Sequence, residues 1–400
     1  MFNPFRRPAD PFGVPPTAPQ TAPPERKASR PLLATHLPRS TTGPSQDYAS
    51  LCREGFARNP IAHRCVRLIA ESAASVPLRS EDARVGALLI RGLPGRSGVE
   101  TLEEFYGYLQ LGGNAFLEAV LSGDDPIALI AHRPDTMKMG TDAKGQATGW
   151  TQETSGRTRR FPRDTATARC ALFHMRLFNP ADECHGLSPL SAAAQAVEMH
   201  NRGAVWAKAL LENSARPSGA LVHDPANGER LTDDQFERLK SELEQNFTGP
   251  LAAGRPLVLE GGLDWKSISL SPTDMDFIQL RREAAREIAL AFGVPPMLLG
   301  LPGDNTYANY REANQAFWRQ TIIPLVTKTA AGLQGWLSAF FEDGAQGNIK
   351  ITPDLDAVPA LAEERAVLWK RLSDARFISE DEARGLAGLA PQVNGKEASS

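Results

Sequence analysis

The sequence predicts an α+β fold, and three patterns carry the prediction. Helix-start and helix-stop signals bracket several long segments. The stretch from residue 114 to 178 changes to the period of strands. Two long helical segments, 188–214 and 271–292, flank a small module of mixed strand and helix. Runs of strands followed by runs of helices, without βαβ alternation, are the mark of segregated α and β layers rather than a doubly wound sheet.

Residues 1–46 carry eleven prolines, from Pro4 to Pro44, mixed with Thr, Ala and Arg, which predicts an extended tail without a core of its own. Its Arg6, Arg7, Arg26, Lys27 and Arg30 could contact DNA or a neighbouring protein, or simply keep the tail solvated. The first folded helix starts with Asn59 as cap and Pro60 in the first turn, places Ile61, Cys65, Ile69 and Ala73 at helical spacing, and ends at Pro77. A second helix opens with Thr101 and Glu104 as a capping box, buries Leu102, Phe105, Tyr106 and Leu109, and closes at Gly112 and Gly113. Strands are expected at 115–121, after the Ser122–Asp125 turn at 127–131, and at 171–178, with a further turn at 142–145 and Trp150 beyond it.

Ser188 and Pro189 start the next helix, whose roughly 25 residues to Ser214 would span nearly 40 Å. The small module follows: a strand at 219–223, a turn at Asn227 and Gly228, a helix from Thr232 to Phe247, and strands at 256–260 and 263–270. Ser271, Pro272 and Asp274 open the second long helix, which Gly293, Pro295 and Pro296 stop. Residues 301–308 cannot build a core and read as an exposed loop. A long helix from Asn309, bent at Pro324, completes the series. Ile349 to Ile351 read as a strand returning to the earlier sheet. Helices follow at 363–372 and 380–386, the latter capped by Ser379 with Glu382.

Composition narrows the function. At 400 residues and 42% hydrophobic content the chain can build two or three packed domains, and a net charge of −3 argues against a surface that grips nucleic acid everywhere. Cys52, Cys65, Cys170 and Cys184 lack any C-x-x-C spacing, so neither a zinc site nor a disulfide framework is expected. No apolar run suits a signal peptide or a membrane span, and the chain is expected to remain in the cytoplasm where it is made. No phosphate-binding G-x-x-x-x-G-K, no H-E-x-x-H and no G-x-S-x-G occurs. Asp274 with Asp276, and Asp354 with Asp356, could each supply two carboxylates to a nuclease-type magnesium site. Residues two apart on a helix do not share a face, however, and loop acids after a strand are common. His185 beside Cys184 reads as a junction residue before the helix at Ser188 rather than half of a thiol catalyst. No catalytic, cofactor or metal residue is assigned.

The run Phe292 to Gly300, the Asn305–Asn309 loop, and Phe317, Trp318, Thr321 and Pro324 together resemble the portal proteins of tailed bacteriophages, of the HK97-like class. Asn179–Pro180 with Gly186–Leu190, Asn59–Ile61 with Ile69 and Pro77, and Gly112–Phe116 resemble further segments of that family in the same order, so the likeness covers roughly residues 45–390. The resemblance implies an elongated subunit: tail 1–46, wing 47–187, stem helices 188–214 and 271–292, clip 215–270, tunnel loop with kinked helix and wing return strand 293–360, and a short helical crown at 361–400. It also implies a homo-oligomeric ring, a dodecamer, at one capsid vertex of a phage, prophage or gene transfer agent particle. Double-stranded DNA would enter and leave through it without sequence recognition. The major capsid protein, terminase and a head-tail adaptor would be its partners, with no membrane involved. Gly303, Asp304, Asn305, Thr306 and Tyr307 are the candidate tunnel loop. Asp233, Asp234, Glu237, Arg238 and Glu242 are the candidate contact surface of the clip. Two other readings are a metal-dependent nucleic-acid enzyme using the acidic pairs, and a different head-tail structural protein.

Overall fold

The computed structural model describes residues 47–93, 95–141, 147–164, 169–212, 219–223, 232, 234–235, 237–238, 241, 263–267, 277–301, 307–341, 349–375 and 377–388. The 142–145 turn, the 256–260 strand and the Ser271–Asp274 helix start lie outside these residues.

The chain begins with α1 (Tyr48–Ser50), which runs into a π-wound segment at Leu51–Ala57. Helix α2 (Pro60–Ala74) follows, with Asn59 as its cap as expected. A short strand β1 (Leu78–Ser80) and a helix α3 (Ala83–Ile90) come next, neither anticipated from the sequence. Helix α4 (Gly98–Gly112) starts four residues earlier than expected. Its capping box is Ser97 with Glu100, and Thr101 instead turns its hydroxyl back to the Ser97 carbonyl at 3.2 Å. Both tetrads fit the S/T-x-x-E pattern. The earlier one is used, and Thr101, buried within the first turn with its hydroxyl on the Ser97 carbonyl, is not the cap.

Gly113 ends α4 in the left-handed region at φ +69°, where a Cβ would lie 2.5 Å from the Gly186 carbonyl oxygen, so the two chain segments touch backbone to backbone. Asn114 ties this junction, accepting from the Gly186 amide at 2.8 Å.

Two antiparallel three-stranded sheets follow. β2 (Asn114–Ser122) pairs with β3 (Asp125–His132) and with β7 (Leu172–Arg176), giving the order β3-β2-β7. β4 (Met137–Thr141), β5 (Ala147–Thr154) and β6 (Arg157–Pro162) form the second sheet, of which only the neighbourhood of Trp150 had been flagged. The central strand β2 is buried on both faces. Ala115, Leu117 and Ala119 belong to the main core with α2 and α4, while Phe116 packs with Met137, Phe161 and Leu172 of the second cluster. Glu118, on the Phe116 face, is buried and joins the sheets, contacting His132 (2.7 Å) on β3 and Arg159 on β6.

Ser188 caps the next helical run, which splits into α5 (Pro189–Ala192) and α6 (Ala194–Glu212). Strands β8 (Gly219–His223) and β9 (Leu263–Ser267) pair antiparallel with each other. Helix α7 (Phe277–Ala291) packs on α6, and α8 (Tyr307–Phe317) leads through a π-wound segment (Trp318–Ile322) into α9 (Ile323–Phe341). The helix therefore begins at Tyr307, not Asn309. Its interruption is the π segment just before Pro324: Ile323 N–H reaches back to the Trp318 carbonyl, so the residue that cannot donate follows a turn already wound i→i+5.

β10 (Ile351–Pro353) starts two residues later than expected and pairs with β1 in its own two-stranded ladder, rather than joining either larger sheet. It returns to the N-terminal part of the chain all the same. Helices α10 (Ala362–Asp374) and α11 (Glu380–Ala387) close the described chain, the latter with the expected Ser379–Glu382 capping box.

Candidate functional site

The most constrained local structure lies between α7 and α8. Helix α7 ends in a paired capping motif: Gly293 N–H donates to Leu290 O at 3.0 Å and Val294 N–H to Ala289 O at 2.9 Å. Gly293 holds φ +65°, which a side chain would resist, and the buried Val294 anchors the exit. Pro296–Leu299 then make one 3-10 turn, closed by Gly300. The Thr321 hydroxyl of the π segment donates to Gly293 O at 2.7 Å, so the corner before the loop is tied to the helix after it. The chain is described again from Tyr307, the first residue of α8.

The long helices are positioned by a buried polar junction. Asn59 Oδ1 accepts from the amides of Ile61 (3.1 Å) and Ala62 (3.0 Å), capping α2. Its Nδ2 points the other way, donating to Asn201 Oδ1 at 3.0 Å and lying 3.3 Å from His200 Nδ1 on α6. Asn201 in turn donates to the Glu54 carbonyl of the π-wound segment at 2.9 Å. Asn59 and Asn201 together thus connect three elements, α2, α6 and the π-wound segment. Burial, and then the charge of Arg281 on α7, lower the pKa of His200 and keep the ring neutral, as an acceptor at Nδ1 must be. The sequence marked Asn59 as a cap. That its amide nitrogen serves α6 was not legible, because the partners lie about 140 residues away.

Helix α7 buries Ala284, Ala285, Ile288 and Ala289 and exposes Arg282, Glu283, Arg286 and Glu287. Two cations and two anions leave that face without net charge. Exposed Ile278, Leu280 and Leu290 on α7, and Val205 on α6, add apolar surface to the pair.

Of the candidate loop residues, Gly303, Asp304, Asn305 and Thr306 lie outside the described residues, and Tyr307 is the first residue of α8 rather than part of the loop. Of the proposed contact helix, Asp234, Glu237 and Arg238 are helical and exposed, while Asp233 and Glu242 lie outside the described residues. Thr232 and Gln235 form a reciprocal cap at its start, at 3.0 and 3.4 Å.

The acidic pair Asp354 and Asp356 is accounted for by ion pairs. Arg79 Nε donates to Asp354 at 2.7 Å, and Arg365 pairs with Asp356. Asp274 and Asp276 lie outside the described residues. His185 Nδ1 and the amides of Cys184 and His185 all engage Asp182, an ordinary loop arrangement at the junction. Among the described residues no group of three His, Cys, Asp or Glu side chains could hold a metal ion, and no helix is long and apolar enough to cross a membrane.

The described residues thus present a tied helical corner between α7 and α8 and a packed helix pair, α6 with α7. The sequence model of the phage portal protein family matches residues 60–388, and the chain belongs to that family. It is 39% identical over 352 residues to an uncharacterised protein of Rickettsia felis, covering 86% of this chain and 89% of that one. A chain in the neck of a native gene transfer agent particle, solved with C12 symmetry, is 46% identical with a TM-score of 0.66, covering 88% of this chain and 96% of that one. An HK97-family phage portal protein from Corynebacterium diphtheriae shares the fold at 15% identity, with a TM-score of 0.55 over 79% of this chain and 99% of that chain.

Proposed function

We propose that this chain is the repeating subunit of a portal ring at one vertex of a phage-like particle, and that double-stranded DNA passes through the ring during packaging and delivery. The observation that carries the reading is the near-complete match, at 46% identity, to a chain in a particle neck solved with twelve-fold symmetry. Family membership over residues 60–388 agrees with it. A ring of about twelve subunits follows by analogy with that neck, and a gene transfer agent or prophage particle is the favoured setting.

In this reading residues 47–187 form the wing, 188–214 and 271–292 the stem, 215–270 the clip, 293–360 the tunnel loop, kinked helix and return strand, and 361–400 the crown. The balanced charges exposed on α7 support a lining that lets DNA slide. DNA carries one charge per about 1.7 Å of axis, so a strongly basic wall would hold it through released counterions. The loop at 303–306, which leads into α8 at Tyr307, faces the bore and touches DNA transiently. Asp234, Glu237 and Arg238 belong to the surface on which terminase and then an adaptor dock, and the major capsid protein surrounds the ring.

The subunit count is tested by native mass measurement of the purified full chain, for which a closed ring is expected and a monomer or dimer would overturn the assignment. The loop is tested separately. Deleting residues 303–306 should lower packaged DNA per particle, whereas unchanged packaging and retention would remove its role.

A further inference from the structure

Two separate surfaces of the chain differ in character. The first is an open pocket of about 730 Å³ beneath the second sheet, lined by Trp150, Phe173, His174 and Trp336, with Arg163, Arg176 and Glu183 at its rim. Trp336 is fixed there by its indole N–H, which donates to Cys170 O at 2.8 Å, and it stacks on Phe173 with centroids 5.5 Å apart. Both rim arginines are exposed, and neither has an ion pair among the described residues. The rim is therefore net positive around an aromatic floor.

The second surface is the α10–α11 pair. It exposes Trp369, Leu386 and, in the connection between the helices, Phe377, which is 90% accessible. Glu380, Asp381 and Glu382 open α11 three residues after that phenylalanine, Glu382 closing the capping box onto Ser379. The pair is pinned to the β10 side of α9: Asp354 and Asp356 at the end of β10 bond Arg79 and Arg365, and Arg365 also reaches the Ala387 carbonyl. Ile351 N–H donates to Gln334 Oε1 at 3.1 Å, which puts β10 on the Gln334 face of α9. Gln334 and Trp336 are two residues apart, hence about 200° around the helix. Phe377, 90% accessible, is not seated in the pocket of its own chain.

We propose that Phe377 of one copy seats in the Trp150–Trp336 pocket of the next, with the acids at the start of its α11 against Arg163 and Arg176. This inference rests on the ring reading above. Two different, complementary patches on one chain give a head-to-tail contact, which closes into a ring when the rotation permits. A large aromatic anchor in an aromatic pocket, flanked by opposite charges, supplies the affinity and fixes the register.

The test uses the full chain and the cysteines already in the pocket wall, Cys170 and Cys184. An F377C variant treated with a short bismaleimide should give a ladder of covalent multimers extending past the dimer, and adding C170S and C184S should abolish it. In parallel, R163E/R176E should weaken the association constant of each contact about tenfold, which corresponds to about 1.4 kcal/mol, and so lower the assembled fraction. Adding E380R/D381R to the same chain should restore it, with far-UV circular dichroism confirming that each variant folds. Rings that form with no ladder and with indifference to the charge reversal overturn this contact while the ring reading stands. A ladder that stops at dimers and persists without Cys170 and Cys184 also overturns it. A wild-type chain that forms no ring overturns both.

Discussion

Replacing Asn59 separates two jobs performed by one side chain. Asn59→Ala removes the α2 cap, worth about 1 kcal/mol, and leaves two acceptors, the half-buried Asn201 Oδ1 and the buried His200 Nδ1, without their donor. A buried polar group deprived of its partner costs about 1–3 kcal/mol, so the total should approach 3 kcal/mol. Asn59→Asp keeps the cap, since its carboxylate still accepts from Ile61 and Ala62, but it cannot donate to α6. At pH 8 it should lose about 2 kcal/mol, and it should partly recover near pH 6, where a carboxylate facing His200 draws a proton onto the imidazole. A folded-state pKa raised in this way contributes stability that is present below the unfolded value and lost as pH rises. Urea unfolding at fixed protomer concentration measures all three proteins, the fixed concentration being needed because assembly adds to apparent stability. Losses below about 1 kcal/mol for Asn59→Ala, or an Asn59→Asp variant that behaves identically at both pH values, would refute the claim that this junction holds α6 against α2.

Further outcomes follow from other parts of the fold. Gly293→Ala should destabilise by about 1–2 kcal/mol, from the left-handed backbone alone, and raise protease cleavage near the loop, whereas Gly95→Ala, also at positive φ but with open space around it, should leave that cleavage unchanged. His174 is held down to about 3 by burial, with smaller contributions from His185 and Arg176. A depressed histidine contributes stability that is present above about 6.5 and lost as pH falls toward the folded value, so at pH 5 the wild type should give up about 2 kcal/mol that His174→Gln retains. Burial alone would raise the Glu118 pKa, but hydrogen bonds from His132 and Arg159 and the charge of Arg159 outweigh it and lower it. That stability is present above the normal carboxylate range and lost as pH falls through the depressed folded value. Glu118→Gln should therefore flatten the acid limb of a thermal-melt series.

What was legible in the sequence was local. Asn59–Pro60, Ser188–Pro189 and Ser379–Glu382 announce helix starts because the cap and its amides are at most three residues apart, and the structure uses all three. Gly113 and Gly293 announce helix ends because a left-handed residue is required there. The four-residue error at α4 arose where two tetrads satisfied the same rule, and only packing of the first turn chose between them. Strands β4 and β6 were missed because their residues, such as Arg157, Arg159 and Arg160, lie on a largely exposed sheet and show little apolar alternation. The short strand β1 exists only through its pairing with β10, some 270 residues later, which no local pattern reveals. The same holds for the tie from Thr321 to Gly293 and for the reach of Asn59 to α6. The corner at Gly293 and Gly300 was legible in the same local way, while Tyr307, read as the end of the exposed loop, is the first residue of α8, and the rest of the candidate loop lies outside the described residues.

The most direct test of the account is a rotationally averaged image of the purified full-length chain. It predicts a closed ring of about twelve copies around an open bore, with the α6–α7 pair and residues 302–306 turned toward that bore. A particle with no central hole, or a ring in which residues 302–306 point outward, would contradict it.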